Sequence, residues 1–232
     1  MNHQKSPLSV ASLDFYKKES LEKLWIETNY NTTEEMPTEV FFRAEDNFYE
    51  LEYAALEICN GTVLDIGAGV GSHALFLQEQ GFDVTALEID KDLVKIMQER
   101  GVEKAICDDV YLLKGKQYDT LLLLMNGIGL VGDLSGLEKF LIHAKTLLNY
   151  GGQILFDSSD ISYLFVDDVP MPTTHYFGEI KYRYLYKAQR GEWFSWLYID
   201  QEKLKEIAAQ HGWAVQILAD DGNDQYLARL TL

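Results

Sequence analysis

The sequence is short of positive charge. It contains 20 Lys and Arg residues against 37 Asp and Glu residues, which gives a formal net charge of −17 at pH 7. Its basic residues are scattered along the chain rather than clustered. Nucleic acids and anionic membranes are held by clustered Lys and Arg, so neither kind of partner is expected. A neutral or cationic ligand suits this charge better than an anionic one.

Cysteine and long apolar runs are also scarce. The two cysteines, Cys59 and Cys107, have no Cys or His neighbour at ligand spacing, so we expect two reduced thiols and no metal site. The longest apolar run, LLLLM, has the length of a strand and not of a membrane span. The first ten residues lack the apolar core of a secretion signal. These absences together predict a cytoplasmic protein.

From residue 61 onward, strand and helix patterns alternate. Short apolar or β-branched runs are followed by amphipathic segments, most of which end on glycine. The predicted strands are 62–67, 83–89, 102–107, 118–125 and 153–159, and the predicted helices between them are 72–81, 91–101 and 136–152. Alternation of this kind predicts βαβ units and therefore a doubly wound, mostly parallel α/β sheet.

The C-terminal part departs from this alternation. Two aromatic, alternating runs at 178–187 and 192–200 predict a β-hairpin inserted at about 175–200. A helix at 201–212 follows, and then come two strands that we expect to pair antiparallel at one edge. The predicted sheet thus has seven strands.

The first sixty residues lie before the alternating region. Amphipathic patterns at 12–28 and 47–59 predict two helices separated by a polar loop. We expect residues 1–60 to form a helical cap or lid that belongs to the same domain as residues 61–232.

Residues 63–71, VLDIGAGVG, place an acid before three alternating glycines, with Asp65 followed by Gly67, Gly69 and Gly71. Glycines at the end of a strand let the backbone bend tightly and approach a ligand. Dinucleotide-binding proteins instead use G-x-G-x-x-G to hold a pyrophosphate. A carboxylate beside the bend repels a diphosphate but suits a ligand that carries an ammonium and a sulfonium.

The run D-x-G-x-G-x-G after a first strand resembles motif I of the class I, Rossmann-like methyltransferases that use S-adenosylmethionine. FFRAEDNF (41–48), LLLLMNGIG (121–129) and QILFDSSD (153–160) are similar to segments of a bacterial, small-molecule-type subgroup. The resemblance implies an enzyme that transfers a methyl group from S-adenosylmethionine to a small-molecule acceptor by in-line displacement.

Two pairs of residues are expected to hold the adenosine of this cofactor. Glu88, at the end of the second predicted strand, can accept hydrogen bonds from both ribose hydroxyls, with Ile89 beside it. In the methyltransferase pattern, Asp109 and Val110 face the adenine, and Asp108 is the second choice. The glycine bend supplies the remaining contacts: Asp65, Gly67, Ala68, Gly69 and Gly71.

Four other polar residues are candidates for the methionine half and the acceptor. The resemblance places Arg43 at the cofactor carboxylate, although an ion pair with a nearby acid is equally open. Asn126 could hold the acceptor or the cofactor's amino group and is the single catalytic candidate. Asp157 and Asp160 are possible proton acceptors, with turn and capping roles favoured. The hairpin aromatics form either an acceptor-binding wall or cross-strand packing: Tyr182, Tyr184, Tyr186, Trp193, Trp196 and Tyr198.

Two other functions are also compatible with the sequence. An NAD(P)-dependent oxidoreductase would need the third glycine shifted and no acid at position 65, and a methyltransferase-like module could bind cofactor without catalysis. Residues 127–129 stand where nucleic-acid amine methyltransferases have Pro-Pro-aromatic, which argues against base or amide methylation. The sequence leaves the acceptor, the methylated atom and the oligomeric state open.

Overall fold

A computed structural model describes residues 5–20, 22–165 and 170–232 of the chain. The helices in these ranges are α1 (Pro7–Lys17), α2 (Glu50–Glu57), α3 (Ser72–Glu79), α4 (Lys91–Arg100), α5 (Leu134–Leu147) and α6 (Gln201–Gln210). The strands are β1 (Leu24–Thr28), β2 (Thr33–Met36), β3 (Thr62–Ile66), β4 (Asp83–Glu88), β5 (Ala105–Cys107), β6 (Tyr118–Leu123), β7 (Leu148–Ser159), β8 (Glu179–Tyr186), β9 (Gln189–Arg190), β10 (Phe194–Leu197), β11 (Ala214–Asp220) and β12 (Gln225–Thr231). None of these helices has the length and apolarity needed to cross a membrane.

The main sheet has seven strands in the order β11-β12-β7-β6-β3-β4-β5. Strands β5, β4, β3, β6 and β7 pair in parallel, and β12 pairs antiparallel with both β7 and β11. This arrangement confirms the predicted α/β sheet with its antiparallel C-terminal edge. The chain leaves β3 toward β4 and later returns on the other side as β6, so a crevice for ligands is expected at the carboxyl ends of β3 and β6.

The main sheet is covered on both faces. Leu121 and Leu123 of β6 lie in one apolar cluster with Phe140 of α5. Leu122, on the opposite face, lies in a second cluster with Leu77 of α3. All five side chains are buried, and this burial explains why the run that contains β6 is apolar without interruption.

The predicted N-terminal helix at 12–28 is wrong in its second half. Helix α1 ends at Lys17, where Lys18 turns into a left-handed conformation, and residues 24–28 form the strand β1. Leu21 lies outside the described residues. Strand β1 pairs antiparallel with β2 and β8. The spacing of Leu24 and Ile26 is compatible with a strand as well as with a helix. The segment forms a strand because it pairs with an edge of β8 that would otherwise be unpaired.

The N-terminal region is therefore only partly helical, and it shares a second sheet with the predicted hairpin. The order of this sheet is β10-β8-β1-β2, and β9 also pairs with β8. The hairpin prediction is confirmed. The predicted helix at 47–59 is present as the shorter α2, and the predicted helix at 136–152 ends five residues early because β7 begins directly at Leu148.

Gly71 offers a test of the packing beneath the glycine bend. Its φ is +85°, and a Cβ on it would lie 2.7 Å from Cγ2 of Val102 and 2.9 Å from Cγ of Met97. Gly81 also has a φ of +85°, but no atom of the residues that the structure describes lies within 4 Å of such a Cβ. Gly71→Ala should therefore lower the free energy of unfolding by about 1–3 kcal/mol more than Gly81→Ala, because both strain the backbone but only the first overpacks the core. Urea denaturation of both variants measures this difference, and equal losses would contradict the packing described here.

Candidate functional site

A cavity of about 940 Å³ lies between the main sheet and the second sheet. Its floor is formed by residues at the carboxyl ends of β3, β4, β6 and β7, and the opposite side by residues of α1, β1, β2, β8 and β10. This is the position that the crossover between β3 and β6 predicts for a ligand. The volume suits a cofactor together with a small second molecule.

The glycine bend forms one wall of the cavity. The backbone N–H groups of Gly67 and Ala68 donate to the carbonyl of Leu87 at 2.9 and 3.0 Å, which fastens the bend to β4. The N–H of Gly69 donates to Oε2 of Glu88 at 3.1 Å. Gly69 has a φ of +57°, and a Cβ on it would meet no atom of the described residues within 4 Å. The bend therefore leaves open space where a ligand can approach the backbone.

Glu88 lies at the end of β4, as predicted. Its carboxylate is buried, and Oε1 accepts a hydrogen bond from the N–H of Asp90 at 2.9 Å. Burial raises the pKa of Glu88, although its backbone hydrogen bonds act in the opposite direction. The neighbouring Ile89 is exposed and also lines the cavity. A buried carboxylate held by two N–H groups is pre-positioned to accept further hydrogen bonds.

Both candidates for the adenine contact reach the cavity wall. Asp109 accepts a hydrogen bond from the N–H of Tyr111 at 3.0 Å and caps a short 3-10 helix at Val110–Leu112. Asp108 accepts from the N–H of Asp109 at 2.9 Å. Val110 lines the same wall and is buried. The structure brings Asp108, Asp109 and Val110 together and does not separate the two acids.

Two buried carboxylates on the cavity floor have an oxygen without a hydrogen-bond partner among the described residues. Asp65 of β3 leaves Oδ2 unpartnered, and Asp157 of β7 leaves Oδ1 unpartnered. Burial raises the pKa of each to about 6; His73 opposes the shift at Asp65 and the hydrogen bond from Asn126 opposes it at Asp157. Unsatisfied buried acceptors are rare in native proteins, so both point to a ligand that donates hydrogen bonds. Asp160, the other predicted proton acceptor, instead caps the turn at Ser162.

Asn126 lies at the cavity in a strained turn after β6. Met125 and Asn126 have φ values of +65° and +53°, an uncommon region for two successive non-glycine residues. The N–H of Asn126 donates to Oδ2 of Asp157, and its Oδ1 accepts from the hydroxyl of Ser159, both at 2.9 Å. Backbone strain that is held by such bonds is common at functional sites.

Arg43 forms an ion pair with Glu52 rather than with a surface acid. The two side chains are only 9% and 3% exposed. The guanidinium carbon lies 4.2 Å from the centroid of the Tyr49 ring, while Nε and Nη1 are buried without a hydrogen-bond partner in the part of the chain that the structure describes. Tyr49 and Glu52 line the cavity. The ion-pair alternative is therefore present in a buried form. Arg43 itself is not among the described residues that line the cavity, although its neighbours Tyr49 and Glu52 are.

Five of the six predicted hairpin aromatics line the cavity: Tyr182, Tyr184, Trp193, Trp196 and Tyr198. The sixth, Tyr186, is buried at the end of β8 and donates to Asp14 of α1 at 2.8 Å.

Sequence reasoning missed the contribution of α1 and α2. Ser6, Pro7 and Leu8 line the cavity, and the hydroxyl of Ser6 donates to Oδ2 of Asp90 at 2.9 Å. The signal was present, because Ser followed by Pro is a typical start of a helix. Glu52 was also missed, and nothing in a single sequence marks it as the partner of Arg43.

Comparisons with known proteins agree with this geometry. The family model described as "Methyltransferase domain" matches residues 42–217. A solved SAM-dependent methyltransferase from Bacteroides fragilis, in complex with S-adenosyl-L-homocysteine, is 38% identical, with a TM-score of 0.90 over 98% of this chain and 95% of that chain. No curated protein matches the sequence.

More distant structures share the fold alone. An S-adenosylmethionine-dependent methyltransferase from Clostridium acetobutylicum is 14% identical, with a TM-score of 0.60 over 81% of this chain and 93% of that chain. The CcbJ methyltransferase from Streptomyces caelestis is 13% identical, with a TM-score of 0.62 over 80% and 93%.

The family match and the relative from Bacteroides fragilis both cover most of the chain. They decide against the NAD(P)-dependent alternative and for methyl transfer from S-adenosylmethionine. The chain belongs to the S-adenosylmethionine-dependent methyltransferases of the class I, Rossmann-like fold.

Proposed function

We propose that this protein is an enzyme that methylates a small-molecule acceptor within the cavity. The observation that carries the proposal is the continuity of the cavity, which joins the glycine bend to the aromatic side chains of the hairpin. When bound, S-adenosylmethionine supplies a methyl carbon to which the acceptor's lone pair bonds while the S–C bond breaks and its electron pair goes to sulfur. The protein's task is to align the two molecules and to exclude water.

The adenosine half would lie between the ends of β3, β4 and β5. Glu88 would accept hydrogen bonds from the ribose hydroxyls, and the open space beside Gly69 lets the ligand approach the bend. Ile89 and Val110 would pack against the adenine, while Asp109 or Asp108 accepts from its amino group.

The methionine half would lie toward Asp65 and Asn126. The ammonium group of the cofactor fits the buried Asp65, because it supplies the hydrogen-bond donor that Oδ2 lacks. Arg43 does not line the cavity, so its Nε and Nη1 would bind the cofactor carboxylate only after the neighbouring side chains of Tyr49 and Glu52, which do line it, turn aside.

The N-terminal region would serve as the cover of the same domain. Helix α1 packs on both β8 and α4, and the hydroxyl of Ser6 is tied to Asp90 beside the ribose site. Through these contacts the first sixty residues help to enclose the ligands and to exclude water from the reaction.

Direct measurement of binding and turnover tests the proposed function. Titration calorimetry should detect binding of S-adenosylhomocysteine and none of NADH, and mass spectrometry should detect methylated products from a panel of small molecules. Binding of S-adenosylhomocysteine with no product from any acceptor would favour a non-catalytic module. Binding of NADH alone would contradict the proposal.

Glu88→Gln tests the ribose assignment. The amide keeps one oxygen but loses the charge and half of its accepting capacity, so affinity for S-adenosylhomocysteine should fall by about 1.5–3 kcal/mol. Calorimetry measures the loss. Asp83→Asn is the matched control, because Asp83 lies at the other end of β4 in an exposed pair with Lys104 and should leave affinity unchanged. Equal affinities for wild type and Glu88→Gln would contradict the assignment.

Asp65→Asn should stabilise the ligand-free protein while it weakens cofactor binding. Burial raises the pKa of Asp65 from 3.8 to about 6. The contribution of Asp65 to the free energy of unfolding is therefore most favourable at low pH and is lost as pH rises through about 6. The variant should gain about 1–3 kcal/mol over wild type at neutral pH, since no buried charge has to form.

The gain from Asp65→Asn should shrink as pH falls from about 6 toward about 4. In this range wild-type Asp65 is already protonated in the folded protein but still ionised in the unfolded chain, so the wild type becomes more stable as pH falls. Chemical denaturation at a series of pH values measures it. A gain that stays constant across this range, or a variant that is less stable at neutral pH, would contradict the account of Asp65.

A further inference from the structure

Asp157 has an open hydrogen-bonding position that the proposed cofactor contacts do not use. Its side chain is only 6% exposed. Oδ2 accepts from the N–H of Asn126, whereas Oδ1 has no partner within residues 5–20, 22–165 and 170–232, and the residue lines the cavity. A buried carboxylate in this state is costly, and a ligand that donates a charged hydrogen bond would offset that cost.

An aromatic patch, which consists of Tyr182, Phe194, Trp196 and Tyr198, lines the same cavity. The centroid of the Tyr182 ring lies 6.4 Å from that of Tyr198 and 6.1 Å from that of Phe194. The ring centroids of Phe194 and Trp196 lie 6.2 Å apart. The hydroxyl of Tyr182 donates to that of Tyr198 at 3.1 Å. The rings thus form a connected surface rather than isolated contacts.

Two contacts hold the hairpin that carries the aromatic patch against residues that follow β6 and Asp157 in the chain. The N–H of Ile199, the residue after Tyr198, donates to the hydroxyl of Ser158, the residue after Asp157, at 3.0 Å. The indole of Trp196 fills the space beside Gly129, where a Cβ would lie 2.0 Å from Nε1. The hairpin therefore holds its rings over the carboxyl ends of β6 and β7.

The cavity offers little to bind an anion. Among the described residues that line it, the Lys and Arg residues are Lys5 and Arg190. Each lies near an acid: Nζ of Lys5 is 3.1 Å from Oδ1 of Asp92, and Nη2 of Arg190 is 3.8 Å from Oε2 of Glu27. Its carboxylates are more numerous: Glu52, Asp65, Glu88, Asp90, Asp108, Asp109, Asp157 and Glu192. A carboxylate or phosphate on the acceptor would be repelled by this charge.

We propose that the methyl acceptor is an amine, whose protonated nitrogen binds between Asp157 and the aromatic patch. The proposal rests on the proposed methyl transfer and names the class of its acceptor. A carboxylate supplies the charged hydrogen bond, and the faces of Tyr and Trp rings attract a cation. The rest of the acceptor is apolar enough to pack on the same rings.

Asp157 also provides a route for the proton. An ammonium has no free lone pair, so one N–H bond must break before the nitrogen can react. The proton passes to Oδ1 of Asp157, the N–H bonding pair stays on nitrogen as the lone pair, and Asp157 later releases the proton to water. Burial raises the pKa of Asp157 to about 6, which makes it a stronger base than an exposed aspartate.

Probe binding to wild-type protein saturated with S-adenosylhomocysteine tests the acceptor class. The probes are 2-phenylethyl, 3-phenylpropyl and indol-3-ylethyl skeletons, each carrying an amine, a hydroxyl or a carboxylate. At least one amine should bind about ten-fold more tightly than the alcohol of its skeleton, and the carboxylates should bind most weakly. Absence of amine binding, or alcohols or carboxylates that bind as tightly as the amines, would overturn the proposal.

Asp157→Asn and Asp160→Asn form a matched pair of variants. The asparagine oxygen can still accept from the N–H of Asn126, so the first variant keeps the turn but loses the charge. Its preference for amine over alcohol should fall by about ten-fold, with unchanged affinity for S-adenosylhomocysteine. Asp160 caps Ser162 outside the cavity lining, and its variant should keep the full preference. An amine preference that survives in Asp157→Asn would contradict the assignment.

Titration with S-adenosylhomocysteine and a methylation assay of the same probes with S-adenosylmethionine, read by mass spectrometry, together separate this inference from the proposed function. If S-adenosylhomocysteine does not bind, both fail together. If it binds and a hydroxyl or carboxylate probe is methylated while the amines are not, the methyltransferase function stands and the amine assignment is wrong.

Discussion

Parallel pairing of β3 with β4 on one side and β6 on the other is the constraint on which the site depends. Because parallel strands end at the same edge of a sheet, residues more than ninety positions apart, Asp65 and Asp157, come to one cavity floor. Hydrogen bonds from Gly67 and Ala68 to Leu87 then hold the glycine bend against β4. The fold thus aligns the ends of four strands, and each contributes a polar group.

The floor of the cavity carries several features that cost stability. Asp65 and Asp157 are buried with an unpartnered oxygen each, and Met125 and Asn126 hold a strained backbone. A folded protein tolerates such features when the surrounding sheet is rigid enough to impose them. The apolar faces of β6, buried against helices on both sides, supply that rigidity. Cofactor and acceptor would each relieve part of the cost by donating hydrogen bonds to the two carboxylates.

Most of the main sheet could be predicted because its signals are local. The uninterrupted apolar run around Leu122 predicts a central strand, and the spacing from the glycine bend predicts the position of Glu88. Strand β1 could not be predicted in this way, because its partner β8 lies more than 150 residues away and the LWIET segment satisfies either pattern. The buried ion pair between Arg43 and Glu52 could not be predicted for a related reason. It depends on how α2 packs in the folded protein, and a short sequence pattern carries no information about that packing.

The central claim is that one cavity holds the cofactor at the glycine bend and presents its sulfur to Asp157 and the aromatic patch. A crystal structure of the protein with S-adenosylhomocysteine tests it most directly. The account predicts the ribose hydroxyls at Glu88, the ammonium at Asp65, and the sulfur facing an open space bounded by Asp157 and Tyr198. Density for the ligand outside this cavity, or a sulfur enclosed by side chains with no room for an acceptor, would contradict it.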